Sequence, residues 1–172
     1  MIPRSVVIIE LDSPPEFTLA TGGAQPKPEA YARVDGAGTL LLYTDAAPSR
    51  SAGIATPVEM LFAAGTCGPQ AGSHLFRVGL QVPREYRDEF LAWYETEHLP
   101  MLLGCAQWKG CRFVEAKRDA GCQFYALHQL ASPAALDSPE RKASRATPWF
   151  RRFAQQAWFD APFTRVLYRR ID

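Results

Sequence analysis

The chain has 172 residues, a formal net charge of +1, and apolar and charged fractions ordinary for a globular protein. That length fits one domain or two small fused units and can bury a real core. The near-neutral balance gives no global attraction for nucleic acid or a membrane surface, and no apolar run is long enough to span a bilayer.

The opening MIPRSVVIIELD has a short apolar stretch but no small-residue cleavage site, unlike a signal peptide. VVIIELD (6–12) reads as a strand. PPEFTLATGGAQPKP (14–28) is too rich in proline and glycine to hold a regular helix. EAYARVD (29–35) and TLLLYTDA (39–46) read as a hairpin across Gly36-Ala37-Gly38, and ATPVEMLFAAG (55–65) as a short helix. No fourth strand is evident in this half.

The second half is more regular. LFRVGLQV (75–82) alternates Phe76, Val78, Leu80 and Val82 on one face of a strand that Pro83 ends. Residues 84–99 have helical periodicity. CRFVEAKR (111–118) and CQFYALHQL (122–130) form a hairpin across Asp119-Ala120-Gly121. Ser138-Pro139 and Thr147-Pro148 each place an N-cap before a proline at the first helical position, starting two consecutive helical pieces. FTRVLYRRI (163–171) is a last strand.

The order β-α-β-β-α-β suits an α+β, ferredoxin-like sheet with helices on one face. Its other face also carries apolar residues and needs a second partner, either another chain or the first half of this one. The two hairpins match in kind: strand, Ala-Gly turn, strand, then Ala46-Ala47-Pro48 against Ala131-Ser132-Pro133. The reading is an intact unit over 73–172 fused to a degenerate unit over 1–72 that lacks its first helix. Both would pack as one compact domain. The alternative is an unrelated N-terminal extension.

Cys67, Cys105, Cys111 and Cys122 form no C-x-x-C pair and lack zinc spacing, as expected of reduced, packed thiols in a cytoplasmic protein.

The chemistry concentrates in WYETEHLP (93–100), which holds one of only three histidines. At about 100° per residue, Tyr86, Phe90, Trp93 and Tyr94 form an apolar stripe; Glu97 falls inside it, His98 on its flank, and Glu95 points away. Pro100 should break or kink the helix at His98-Leu99, leaving MLLG as a short turn. A carboxylate aimed at the core costs several kcal/mol unless it is protonated, paired or hydrogen-bonded. Two readings stay open. In one, Glu97 and His98 line a pocket, with His98 as general acid or base and Glu97 tuning it. In the other, Glu97 pairs with Arg145, Arg151 or Arg152, and His98 satisfies a backbone carbonyl. His128 shares a strand face with Phe124 and Ala126 and can enter the same cavity, while Tyr125 points the other way. His74 sits in a loop and is expected to be solvated, Trp149 packs against the sheet, and Trp108 caps the turn after the broken helix. Metal binding is not expected, because adjacent Glu97 and His98 diverge on the helix. The basic residues from Arg141 to Arg152 and from Arg165 to Arg170 pair carboxylates or attract an anionic small molecule; they lack the interleaving of a nucleic-acid surface.

The stretch EYRDEFLAWYETEHLPMLLGCAQWKGCRFVEA, with FYALHQLASPAALDSPE and TPWFRR, resembles the dimeric α+β barrel superfamily near its EthD-like branch. Members carry a W-Y-x-x-E-H-x-P helix, a strand similar to Y-x-A-L-Y-x-L-x-S-P, and a T-P-W segment. The resemblance covers about residues 74–171, with His128 standing where that strand pattern has tyrosine. It implies two ferredoxin-like units closing a barrel, more often as a homodimer than as a fused repeat. The ligand lies in a cleft between sheet and helices. The chemistries it implies range over cyclases, dehydratases, isomerases, cofactor-free oxygenases and haem-handling enzymes. By this resemblance the expected catalytic residues are His98 and Glu97, and Trp93, Tyr94, His128 and Trp149 shape the pocket for a small-molecule ligand. No metal or organic cofactor is expected. The competing readings are a non-catalytic binding or packing module and a haem-linked oxygenase, which would give a Soret band on haem addition.

Overall fold

The computed structural model describes residues 5–12, 28–44, 54–68, 70–116, 122–159 and 164–171. The expected loop over 14–27 and the Asp119-Ala120-Gly121 turn lie outside them. Eight strands form a closed barrel: β1 Ser5–Leu11, β2 Glu29–Arg33, β3 Thr39–Thr44, β4 Ile54–Gly65, β5 His74–Val82, β6 Trp108–Ala116, β7 Cys122–Leu130 and β8 Arg165–Ile171.

Around the barrel the order is β1-β3-β2-β8-β5-β7-β6-β4, every neighbouring pair antiparallel. The strands of the second half run β8-β5-β7-β6, the ferredoxin-like order. Those of the first half run β4-β1-β3-β2, the same order counted from its own first strand. The halves join at two seams, β2 with β8 and β4 with β6.

The segment expected to be a helix, residues 55–65, is instead β4, the fourth strand that the first half was thought to lack. Its N-terminal part pairs with β1 from Ile54 to Glu59, and its C-terminal part with β6 from Val58 to Gly65. Twelve residues with ladders on both sides outweigh any local helical preference. A register shift between Met60 and Phe62 disturbs the alternation there. Gly65 has φ of 70° and crosses Gly110; a side chain on Gly110 would overlap the backbone of Thr66.

An eight-stranded barrel is just wide enough to be filled by side chains. Val6, Ile8, Leu40, Leu42 and Val58 from the first half meet Leu75, Val114, Tyr125, Leu127 and Tyr168 from the second inside it. Two ion pairs cross the same interior: Arg112 on β6 forks onto Glu29 on β2 at 2.7 and 2.8 Å, and Arg77 on β5 reaches Glu10 on β1 at 2.5 Å. The sheet face that needed a partner is therefore closed within one chain.

All the helices among the described residues lie in the second half: α1 Arg87–Trp93, a π-helical turn Tyr94–His98, α2 Leu99–Leu103, α3 Pro139–Ser144 and α4 Pro148–Ala154. Ser138 and Thr147 cap α3 and α4 as expected, accepting from the Arg141 and Phe150 amides at 3.2 and 3.1 Å. No helix among the described residues is long and apolar enough to cross a membrane.

Pro100 does not end the helix. Leu99 stays helical with φ −68° and ψ −43°, and α2 runs on through MLL, where a turn was expected. The wide turn absorbs the proline: the Leu99 amide bonds back five residues to Tyr94. The Thr96 hydroxyl also bonds back to the Ala92 carbonyl at 2.6 Å, a contact that bends helices.

Candidate active site

The outer face of β5, β6 and β7 presents Phe76, Val78, Cys111, Phe113, Phe124, Ala126 and His128 to these helices. Phe90 of α1 sits at the centre, with Trp93, Tyr94, Phe113, Phe124 and Phe153 all within 6.4 Å, centroid to centroid. Next to this aromatic cluster the helices and sheet part around a small cavity that opens to solvent. Trp93, Tyr94, His98, Trp108, His128 and Phe150 line it, and Arg141, Arg145 and Arg165 stand at its polar side.

Of the predicted site residues, Trp93, Tyr94, His98 and His128 meet here. The π turn puts Tyr94 and His98 side by side, ring centroids 5.1 Å apart, with Trp93 4.6 Å from the imidazole. The Ser144 backbone acts on the His98 ring as a hydrogen-bond acceptor, and Nδ1, shut off from solvent, has no partner among the described residues. Burial pushes its pKa down to about 4; the Ser144 bond opposes this, and Arg145 and Arg141 add to it. His98 is thus neutral at pH 7, with a free lone pair.

Glu97 is not part of the cavity wall, and the structure does not bring it into a pair with His98. Its Oε1 accepts from the Trp93 indole at 3.1 Å and from the Thr147 hydroxyl at 2.7 Å, with no arginine involved among the described residues. It points inward, as the helical projection indicated, but it ties α1 to the start of α4. Trp149 is displaced from its expected role by its neighbour: Phe150 faces the cavity, whereas Trp149 lies under the Arg152 guanidinium. Glu95 is exposed, and Arg152 pairs with Glu89.

Trp108 was expected to cap a turn. It begins β6 instead, and its indole nitrogen donates to His128 Nδ1 at 3.1 Å. His128 Nε2 meets the Tyr94 hydroxyl at 2.8 Å. Burial, then His98 and Arg141, push the His128 pKa down to about 3, and burial raises the Tyr94 phenol well above its ordinary value. Arg141 spends one nitrogen on the Leu136 carbonyl at 2.5 Å, and Arg145 lies over Phe150 at 5.6 Å. Neither they nor Arg165 form an ion pair among the described residues.

No protein-family signature and no curated protein matches the chain. Solved structures do. An uncharacterised ferredoxin-fold protein related to antibiotic biosynthesis monooxygenases, from Listeria monocytogenes, aligns over 99% of this chain and 96% of its own, with TM-score 0.65 and 12% identity. An anthrone oxidase-like protein aligns over 99% and 92%, with TM-score 0.64 and 13% identity. The shared property is the fold. A heme-degrading enzyme from Listeria monocytogenes shares it too, over 96% of this chain and 99% of its own, with TM-score 0.63 and 10% identity.

Haem does not fit this chain's site as built. Both ring nitrogens of His128 are engaged, and His98 Nδ1 is shut off from solvent in a ring whose centroid lies 4.6, 5.1 and 6.4 Å from those of Trp93, Tyr94 and Phe150.

Proposed function

We propose that the chain is a small-molecule enzyme of the EthD-like, dimeric α+β barrel type that moves a proton without metal or organic cofactor. The substrate would be an aromatic, polyketide-like or other carbonyl compound. The observation that carries this reading is His98 Nδ1: a buried, unprotonated nitrogen beside a cavity, without a partner among the described residues, with Ser144 acting on the ring's other side. Such a group is a general base. The step is the transfer to Nδ1 of a carbon-bound proton made acidic by a carbonyl, directly or through a conjugated ring, leaving an enolate; no oxidant enters it. The same pair of species serves a cyclisation, a dehydration or an isomerisation, or the first step of an oxygenation. A base whose free pKa is about 4 holds a proton poorly. The reaction therefore depends on stabilising the enolate oxygen, and the unpaired arginines beside the cavity favour that charge.

One neighbour is anthrone oxidase-like, and an anthrone is an aromatic ketone with an acidic C–H, which makes it the first probe. Deuterium incorporation into anthrone in D2O, followed by mass spectrometry, should be accelerated by the protein, and His98→Ala should abolish the acceleration. Equal exchange by wild type and variant would end the mechanism.

A second reading has its own support, because Glu97 is satisfied by Trp93 and Thr147 and thereby packs the motif. In that reading the cavity binds a ligand and does no chemistry; saturable binding of anthrone with no exchange would establish it.

Two further points belong to the same proposal. The equal strand order of the two halves supports an internal duplication of one ferredoxin-like unit over 1–72 and 73–172. The expected homodimer was argued from an open sheet face, and that face is now closed within the chain. A dimer would have to use another surface, and light scattering at working concentration decides between one chain and two.

A further inference from the structure

The direction of the hydrogen bonds around His128 is fixed by one residue. An indole N–H can only donate. Trp108 Nε1 lies 3.1 Å from His128 Nδ1, so that nitrogen must carry the lone pair, and a neutral ring then carries its proton on Nε2. Nε2 faces the Tyr94 hydroxyl at 2.8 Å, so the imidazole donates and the phenol oxygen accepts. The Tyr94 hydroxyl proton must then go elsewhere. No second hydrogen-bond acceptor holds it among the described residues: the Tyr94 ring packs on Phe113 and Phe90 at 4.5 and 5.9 Å, centroid to centroid, the Cys111 thiol acts on the phenol only electrostatically, and Tyr94 lines the cavity with His98.

We infer that Trp108 and His128 form a one-way relay that turns the Tyr94 O–H into the cavity, where it donates to the oxygen of a carbonyl substrate. Tyr94 is then the catalytic hydrogen-bond donor, and Trp108 and His128 are positioning residues. Beside the arginines at its polar side, the cavity's aromatic wall sets the Tyr94 O–H, a donor, and His98 Nδ1, an acceptor, on adjacent rings. A ligand that accepts at oxygen and gives up a proton nearby matches both, which selects enolisable ketones and hydroxylated aromatic ketones over plain hydrocarbons. The phenol stays protonated throughout: it stabilises the enolate by donation and takes no part in the proton balance. The use made of the donor rests on the proposed function; its direction does not.

The decisive measurement is the tautomer of His128 in the full chain with no ligand, by long-range proton–nitrogen NMR of ¹⁵N-histidine-labelled protein. The expected spectrum shows Nε2 protonated and Nδ1 bare from pH 8 to pH 5. A ring protonated on Nδ1, or on both nitrogens, overturns the relay. In Trp108→Phe the lock is gone, and the Nδ1–H form should appear; an unchanged tautomer also overturns it. If that variant does not fold, the wild-type spectrum still decides. For function, His128→Gln can accept from Trp108 and donate to Tyr94, and should keep anthrone exchange within about threefold of wild type. Tyr94→Phe and His128→Leu should each lower kcat by on the order of 10²-fold, the scale of losing one oxyanion donor. Full activity of Tyr94→Phe overturns the assignment. Absence of exchange by the wild type ends the proposed function but leaves the direction of the relay standing, whereas a wrong tautomer ends the relay and leaves His98 as base.

Discussion

The two halves of the barrel use one strand order for different purposes. In both, four antiparallel strands send alternate side chains into a common interior, and there the halves are nearly equal contributors. They differ on the outside. The second half covers its outer face with WYETEHLP and the two proline-started helices, and between cover and sheet it keeps a dense aromatic cluster and a cavity. The outer face of the first half holds a smaller cluster of Ile9, Ala30 and Leu41, with no helix among the described residues. Closing a barrel requires only strands that alternate. A site requires in addition a cover that leaves a gap with polar groups turned into it, and among the described residues only the second half has one.

The largest effect that sharpens this comparison is on stability. Phe90 is fully buried among six other aromatic rings, two of them tryptophans, so Phe90→Ala should cost about 3–5 kcal/mol, while Leu41→Ala in the smaller cluster should fall near the low end of its class, about 2 kcal/mol. Urea denaturation of the two variants reads the difference. Equal losses would mean that the two outer faces are packed alike and would break the distinction.

Acid should act through the same half. His98 and His128 are buried neutral, with pKa values lowered to about 4 and about 3. An unfolded histidine takes up a proton near 6.5, so between that value and about 4 the unfolded state binds more protons than the folded one. The stabilisation by neutral burial is therefore complete above about pH 6.5 and is lost as the pH falls. By pH 5 the loss is on the order of 2 kcal/mol for each ring. The urea midpoint at pH 5 against pH 7 should drop in wild type and drop by about half as much in His128→Gln, which does not titrate. An unchanged drop would show that the ring is not buried neutral.

Much of the covered half was legible. Phe76, Val78, Leu80 and Val82 alternate cleanly, and Ser138-Pro139 and Thr147-Pro148 start helices where they should, because these signals are local. β4 was not legible as a strand. Ile54, Thr56 and Val58 do alternate, but Pro57 and the run Met60-Leu61-Phe62 hide the period, and the register shift between Met60 and Phe62 is where it fails. Its pairing to β1 and β6 is long-range and leaves no local trace. Trp108 was lost for a similar reason: an irregularity between Trp108 and Gly110 separates it from the regular part of β6, so its place opposite the His128 region does not follow from spacing. Pro100 hinted at irregular helix geometry in its own turn, but the sequence does not say that the helix would widen rather than end. The projection also aimed Glu97 correctly without naming its partners, since Thr147 comes from another element fifty positions away.

Glu97 gives the smallest and most discriminating test. Its oxygen accepts two hydrogen bonds, from Trp93 in α1 and Thr147 at the start of α4. Removing the acceptor in Glu97→Ala leaves two donors to find other partners and should cost about 1–3 kcal/mol. Glu97→Gln keeps a carbonyl oxygen for the same donors, so its cost should stay below about 1 kcal/mol, the loss of charge assistance in two bonds. If Glu97 only ties the cover to itself, Glu97→Gln should leave the pH dependence of anthrone exchange where it was and alter the rate by no more than about twofold. If Glu97 sets the basicity of His98, the same substitution should move the acid limb of that profile while leaving the urea midpoint almost untouched. The isosteric amide therefore separates packing from catalysis within one variant, and the bonds to Trp93 and Thr147 place the expectation with packing.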